Sequence, residues 1–113
     1  MSRISTHVLD TARGLPAKGI AVVLEQRAEG REGGAFVELG RGHTDDDGRL
    51  KTLLPEGTAL EVGTYRLTFD LASYQPDGFF PMVQITFAVR EAGRHHHVPL
   101  LLSPYGYSTY RGS

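Results

Sequence analysis

A chain of 113 residues fits one domain, and positions 1–113 are expected to form a single unit. The sequence has no cysteine, which excludes disulfides and thiolate zinc sites. With 12 Lys and Arg against 13 Asp and Glu, the formal net charge of -1 lacks the broad cationic footprint of a duplex binder, so no nucleic-acid partner is expected.

Along the chain, period-two alternation of apolar and polar residues dominates, and no long segment has the 3.6-residue period of a helix. Met1 to Thr6 carries no apolar signal segment, so a cytoplasmic location is expected. A first strand is expected over Thr6 to Asp10, ending before the turn residues Gly14-Leu15-Pro16. Ile20 to Leu24 is a nearly continuous apolar run, which suits a strand covered on both faces. Ala28 to Gly34 reads as a hairpin tip leading into a strand over Phe36 to Thr44, and Asp47-Gly48 as a second hairpin turn.

Thr58 to Val62 and Leu71 to Tyr74 would each hold a short extra strand or a helical turn. The cleanest alternation is Tyr65, Leu67, Phe69 and Leu71 against Thr64, Arg66, Thr68 and Asp70, the pattern of a half-buried strand. After the breaker Gln75-Pro76-Asp77-Gly78 the pattern returns in Val83, Ile85, Phe87 and Val89. His97 to Leu101 and Tyr105 to Tyr110 complete the set on either side of Ser103-Pro104. Seven or eight short strands with turns between them point to an all-β, two-sheet antiparallel β-sandwich. No apolar run approaches the roughly 20 residues of a membrane helix, so no membrane partner is expected.

The histidines are His7, His43, His95, His96 and His97. On a strand, His95 and His97 face one way and His96 the other. His-x-His is a weak metal signal, and ordinary strand histidines at a sheet rim are the stronger reading of the cluster taken alone. From Ala92 onward the chain carries Arg94, Arg111, three histidines and three tyrosines but no carboxylate side chain, a set suited to an anionic or carbonyl-rich flat ligand. An exposed final strand would have the same composition. Asp45-Asp46-Asp47-Gly48 lacks the ligand spacing of a calcium loop and reads as a turn, with Arg49 directly after it. There is no nucleophile elbow, phosphate loop or cysteine nucleophile, so familiar covalent catalysis has no support.

Four segments together resemble the transthyretin-like 5-hydroxyisourate hydrolases: THVLDTARGLPAKGI at Thr6 to Ile20, TDDDGR at Thr44 to Arg49, FFP at Phe79 to Pro81, and HHHVPLLLSPYGYSTYRGS from His95 to Ser113. The last four residues, Tyr-Arg-Gly-Ser, separate these hydrolases from the hormone-carrying transthyretins of the same fold. The resemblance implies a transthyretin-like sandwich with one short helix, assembled as a homotetramer, a dimer of dimers, with sites at the subunit interface. It implies hydrolysis of 5-hydroxyisourate to 2-oxo-4-hydroxy-4-carboxy-5-ureidoimidazoline by histidine-activated water, without cofactor or metal. The implied catalytic residues are His7, Arg49, His97 and Ser113, with Tyr110, Arg111 and Gly112 joining His7 and Arg49 in substrate binding. Asp45 and His96 stand where the family usually has Asn and often has Tyr. The alternative is a non-catalytic carrier of a small aromatic ligand in the same channel, and a third reading is a sandwich module for protein contacts.

Overall fold

The computed structural model describes residues 4–28 and 34–112. Nine strands fall within them: β1 Ile4–Asp10, β2 Leu15–Pro16, β3 Ala21–Arg27, β4 Phe36–His43, β5 Arg49–Leu50, β6 Gly63–Asp70, β7 Met82–Val89, β8 His96–Ser103 and β9 Gly106–Thr109. One sheet has the order β2-β1-β8-β9, with β5 also paired to β1, and the other has the order β4-β3-β6-β7. Pairing is antiparallel except between β1 and β8, which run parallel from Ile4↔His96 to Asp10↔Leu102.

The alternation seen in the sequence sets the core. Tyr65, Leu67 and Phe69 of β6, Val22 and Leu24 of β3, and Val8 and Leu100 of the other sheet are all buried between the layers. Burying each such side chain stabilises the fold by about 1.5–3 kcal/mol, so the inward faces dominate. Tyr65 is fully enclosed and stacks on Phe87, while its hydroxyl donates to the Glu61 carbonyl at 2.7 Å and accepts the Glu61 N–H at 3.0 Å. The phenol is thus buried without an unmet hydrogen bond.

Several local expectations differ from the structure. The β3 run is buried only at Val22 and Leu24, while Ala21 and Val23 are half-buried, because the outer face of this sheet has no further layer over it. No helix occurs among the described residues. Leu71 to Gln75 forms a single turn, with the N–H groups of Tyr74 and Gln75 both on the Leu71 carbonyl. Pro76 follows and has no N–H with which to continue it. Thr58 to Val62 forms no strand. The tip expected at Ala28 to Gly34 lies mostly outside the described residues, but its arms are in place, since Arg27 pairs with Phe36.

Asp47-Gly48 is not a hairpin within one sheet. It carries the chain from β4 in one sheet to β5 in the other. Buried Thr44 starts the crossing: its hydroxyl donates to the Ala17 carbonyl at 2.7 Å and accepts the Ile20 N–H at 2.9 Å. The Asp45 carboxylate then accepts the N–H groups of Asp47 and Arg49, each at 2.9 Å, and these bonds hold its pKa below the ordinary range. Gly48 completes the crossing at φ 74°, its carbonyl receiving the Val8 N–H at 2.8 Å. A Cβ there would run into the Val8 carbonyl.

Gly48→Ala is therefore expected to cost about 2–4 kcal/mol, since it adds backbone collision to left-handed strain. Gly57→Ala, also at positive φ but with nothing within 4 Å of the added carbon, should lose only about 1–2 kcal/mol. Chemical denaturation of both variants checks the contrast.

Candidate active site

Strand alternation places Ser5 and His7 of β1 on the side of their sheet that faces away from the core, while Ile4 and Val8 point inward. The antiparallel register sets Arg49 of β5 opposite His7. The parallel register sets His97 of β8 opposite Ser5. Residues from three strands thereby reach one surface, although His7 and His97 are far apart in sequence.

His96 faces the other way and is buried, donating from Nδ1 to the Arg94 carbonyl at 2.9 Å. Burial pushes its pKa down, the bond to Arg94 opposes this, and the charges of Arg111 and His95 add to the lowering. His95 and His97 share the outward side with their rings 6.3 Å apart, as alternation requires. Between them sits the Ser5 hydroxyl, 2.7 Å from His95 Nε2 and 2.8 Å from His97 Nδ1.

A hollow of about 210 Å³ opens here, lined by Ser5, Thr6, Arg49, Lys51, His95 and His97. His7 is not among its lining residues. Its Nε2–H donates to the Asp47 carbonyl at 2.9 Å, which leaves Nδ1 as the nitrogen able to accept a proton. The Asp45 carboxylate, occupied by backbone N–H groups, fixes the turn that presents Arg49.

The electrostatics of the hollow are cationic. His97 has its pKa lowered chiefly by burial, then by the positive charges of His95, His7 and Arg49. It is accordingly kept neutral at neutral pH, with a lone pair available. Exposed Arg49, backed by Lys51, can meet a developing negative charge on a ligand oxygen. Among the described residues no group of three or more His, Asp or Glu side chains is placed to hold a metal ion. His95 and His97 are joined through Ser5 instead.

Near its end the chain returns to this surface. Gly112 forms an isolated bridge with His97, its N–H donating to the His97 carbonyl at 2.8 Å. A Cβ on Gly112 would meet His97 Cδ2 at 2.5 Å, so only glycine lets the backbone lie against the imidazole. Tyr110 and Arg111 are exposed. Arg111 acts electrostatically on His96, and Ser113 lies outside the described residues. Sequence reasoning singled out His7, Arg49, His97 and Gly112, which the fold gathers, but missed Ser5, Lys51 and the link to His95. Ser5 stands two residues before His7 on one strand, so alternation alone places the two on one face.

Known proteins resemble this chain over nearly its full length. The 5-hydroxyisourate hydrolase of Salmonella dublin is 46% identical over 114 residues, covering 97% of this chain and 80% of that protein. The structure of Klebsiella pneumoniae 5-hydroxyisourate hydrolase superposes with a TM-score of 0.81 at 36% identity, covering 100% of both chains. Sea bream transthyretin in complex with thyroxine superposes with a TM-score of 0.87 at 28% identity, covering 97% of this chain and 94% of that one. The family model described as HIUase/Transthyretin matches residues 4–112, and the chain belongs to that family.

Proposed function

We propose that this chain hydrolyses 5-hydroxyisourate to 2-oxo-4-hydroxy-4-carboxy-5-ureidoimidazoline in urate breakdown. The observation that carries the reading is the meeting of His97, Arg49 and His7 on one sheet face in a chain 46% identical to a 5-hydroxyisourate hydrolase. One water adds to a ring carbonyl and the acyl carbon–nitrogen bond breaks. The carbonyl carbon leaves as a carboxylate, and the ring nitrogen gains a proton.

Neutral His97 takes the proton from water through Nε2, since its Nδ1 is engaged by Ser5. Arg49 binds and polarises the carbonyl oxygen as negative charge builds on it. His7, its tautomer set by the Asp47 carbonyl, shares the return of the proton. Tyr110, Arg111 and Gly112 form the wall that fixes the ring, and Ser113 is assigned to the attacking water. No metal or cofactor takes part in these steps.

The protein acts as one domain over 1–113 and assembles as a homotetramer, a dimer of dimers, with sites where the dimers meet. Support comes from an apolar hollow of about 270 Å³ whose lining includes Leu9, Leu15, Pro16 and Leu101. Leu9 and Leu101 lie on the same outward face as Ser5, and Leu15 is 52% exposed in the single chain. Among the described residues no helix is long and apolar enough to cross a membrane. The proposed location is the cytoplasm, where a chain without cysteine needs no oxidising environment.

Mixing the protein with uricase-generated 5-hydroxyisourate in EDTA should hasten the loss of the substrate's ultraviolet absorbance. His97→Gln should slow that loss about a hundredfold or more. An unchanged decay with wild-type protein overturns the reading and leaves the carrier alternative.

Truncation after Thr109 should abolish hydrolysis while the sandwich keeps its melting temperature to within a few degrees, because Tyr110 and Arg111 are exposed and bury little. Retained activity would remove the chain end from the site.

The pH dependence has a definite sign. With the pKa of His97 and His96 lowered in the folded state, the unfolded chain binds more protons as pH falls through about 6.5. Their contribution to stability is present above that pH and is lost as pH falls through the folded pKa values. Denaturation between pH 7.5 and 5 should show this decline, and the acid limb of the rate should have its midpoint below about 6.5.

A further inference from the structure

Ser5 and His95 are not among the residues assigned to the reaction, yet the Ser5 hydroxyl touches the ring of its proposed base and His95 touches that hydroxyl. Ser5 is only 4% exposed, and its hydroxyl has a histidine nitrogen on each side, at 2.7 and 2.8 Å. A serine hydroxyl has one hydrogen to donate, so it cannot donate to both rings at once. In a chain of two such bonds, one ring gives a proton to Ser5 and the other receives one. The ends of the chain differ in their access to water, because His97 is half-buried and His95 is exposed.

We propose that Ser5 is a positioning residue that couples His97 to His95 in a proton relay, so that the positive charge created when His97 accepts a proton is carried by His95. This rests on the reading of His97 as the base. For Nε2 of His97 to be free, its Nδ1–H donates to Ser5, and in the relay the Ser5 hydroxyl donates in turn to His95 Nε2. When His97 Nε2 takes a proton from water, the Nδ1 proton passes to Ser5 Oγ as the Ser5 hydroxyl proton passes to His95 Nε2. His97 is then neutral with its proton on Nε2, directed at the departing ring nitrogen, and His95 is the imidazolium. Delivery of that proton reverses the two transfers and restores the starting state. Protons balance at each stage, and no redox partner is required.

The charged groups around the relay favour this division. His97 feels burial and the charges of His7 and Arg49, all of which oppose a cation on its ring, together with that of His95. Lys51 also lines the hollow. The Ser5 hydroxyl links the two rings, so a proton gained at His97 has a path to His95. His95, open to water, is the ring on which that proton is solvated.

The test compares wild type, Ser5→Ala, His95→Gln and the double variant with uricase-generated 5-hydroxyisourate, alongside ring nitrogen–proton correlation spectra of the histidines. His95→Gln is the decisive variant, since an exposed glutamine amide can accept the Ser5 hydroxyl bond but cannot take a proton. Each single variant should lower kcat about tenfold with KM within about twofold, and the double variant should be no slower than the slower single. In the spectra, wild-type His97 and His95 should both carry their proton on Nδ1, and Ser5→Ala should release both to mixed tautomers.

A merely structural hydroxyl would leave His95→Gln at the wild-type kcat. That result, or tautomers unmoved by Ser5→Ala, overturns the relay while leaving the hydrolase reading intact. A wild-type protein without hydrolysis fails before any variant is compared, and it overturns both.

Discussion

Everything at the candidate site depends on the parallel pairing of β1 with β8. In that pairing Ser5 meets His97 and His7 lies one step further along, beside Pro99. A slip of one residue would turn the histidine into the core and an aliphatic side chain out to water. The register is enforced from the opposite face, where Ile4, Val8, Leu100 and Leu102 are fully buried. Two side-chain bonds add to it, from Thr6 to the Val98 carbonyl at 2.7 Å and from Thr11 to the Leu102 carbonyl at 3.1 Å. Aliphatic burial, at about 1.5–3 kcal/mol per side chain, outweighs any exposed ion pair such as Lys18 with Asp46. The alignment of the site is thus chiefly a consequence of core packing, to which the Ser5 contacts with His95 and His97 add.

That dependence on the core matters because the charged site residues repel one another. Arg49, Lys51, His95 and His97 place cationic or protonatable groups around one hollow with no acidic side chain among its lining residues, and His7 adds its charge from beside it. Left to their own electrostatics they would move apart or shed protons. Held by the sheet, they stay close, and burial resolves the conflict by lowering the pKa of His97. Asp45 is turned to the loop, where Oδ1 accepts two backbone N–H groups, and it feels the side chains of Lys51 and Arg49 only through their charges. A site that keeps one imidazole neutral beside a guanidinium has the two things that water addition to a carbonyl needs.

The long strands were legible because one face of each is buried and the other is not. Tyr65, Leu67 and Phe69 show this in its simplest form. The two-residue strands β2 and β5 carry no period to detect, and exist because β1 offers an open edge to Leu15–Pro16 and Arg49–Leu50. Asp47-Gly48 signalled a turn correctly, but which sheet the chain enters after it is decided by Thr44 and Val8, tertiary partners that no dipeptide specifies. Of the strand or helical turn expected over Leu71 to Tyr74, the structure forms the turn, and Pro76 stops it from continuing. Of the site, His7, Arg49 and His97 were recognisable as motif positions. The partnership of Ser5 with His95 and His97 was hidden, because a parallel pair 92 residues apart leaves no local mark in the sequence.

The end of the chain shows how little material is needed to orient a ring. His97 is engaged through Nδ1 by Ser5, and its Cδ2 edge faces the Gly112 backbone, which is also bonded to its carbonyl. Contacts at two different edges of a planar ring leave it one rotamer, and Nε2 lies between the two contacted positions on neither of them. Proton transfer falls steeply with misalignment, so holding the ring's orientation bears directly on the rate. A glycine at 112 is the physical condition for it, since any side chain would occupy the space of the imidazole and push either the ring or the chain end away. The terminal segment is in this respect part of the sheet's outer surface, held by His97 as much as it holds His97 in turn.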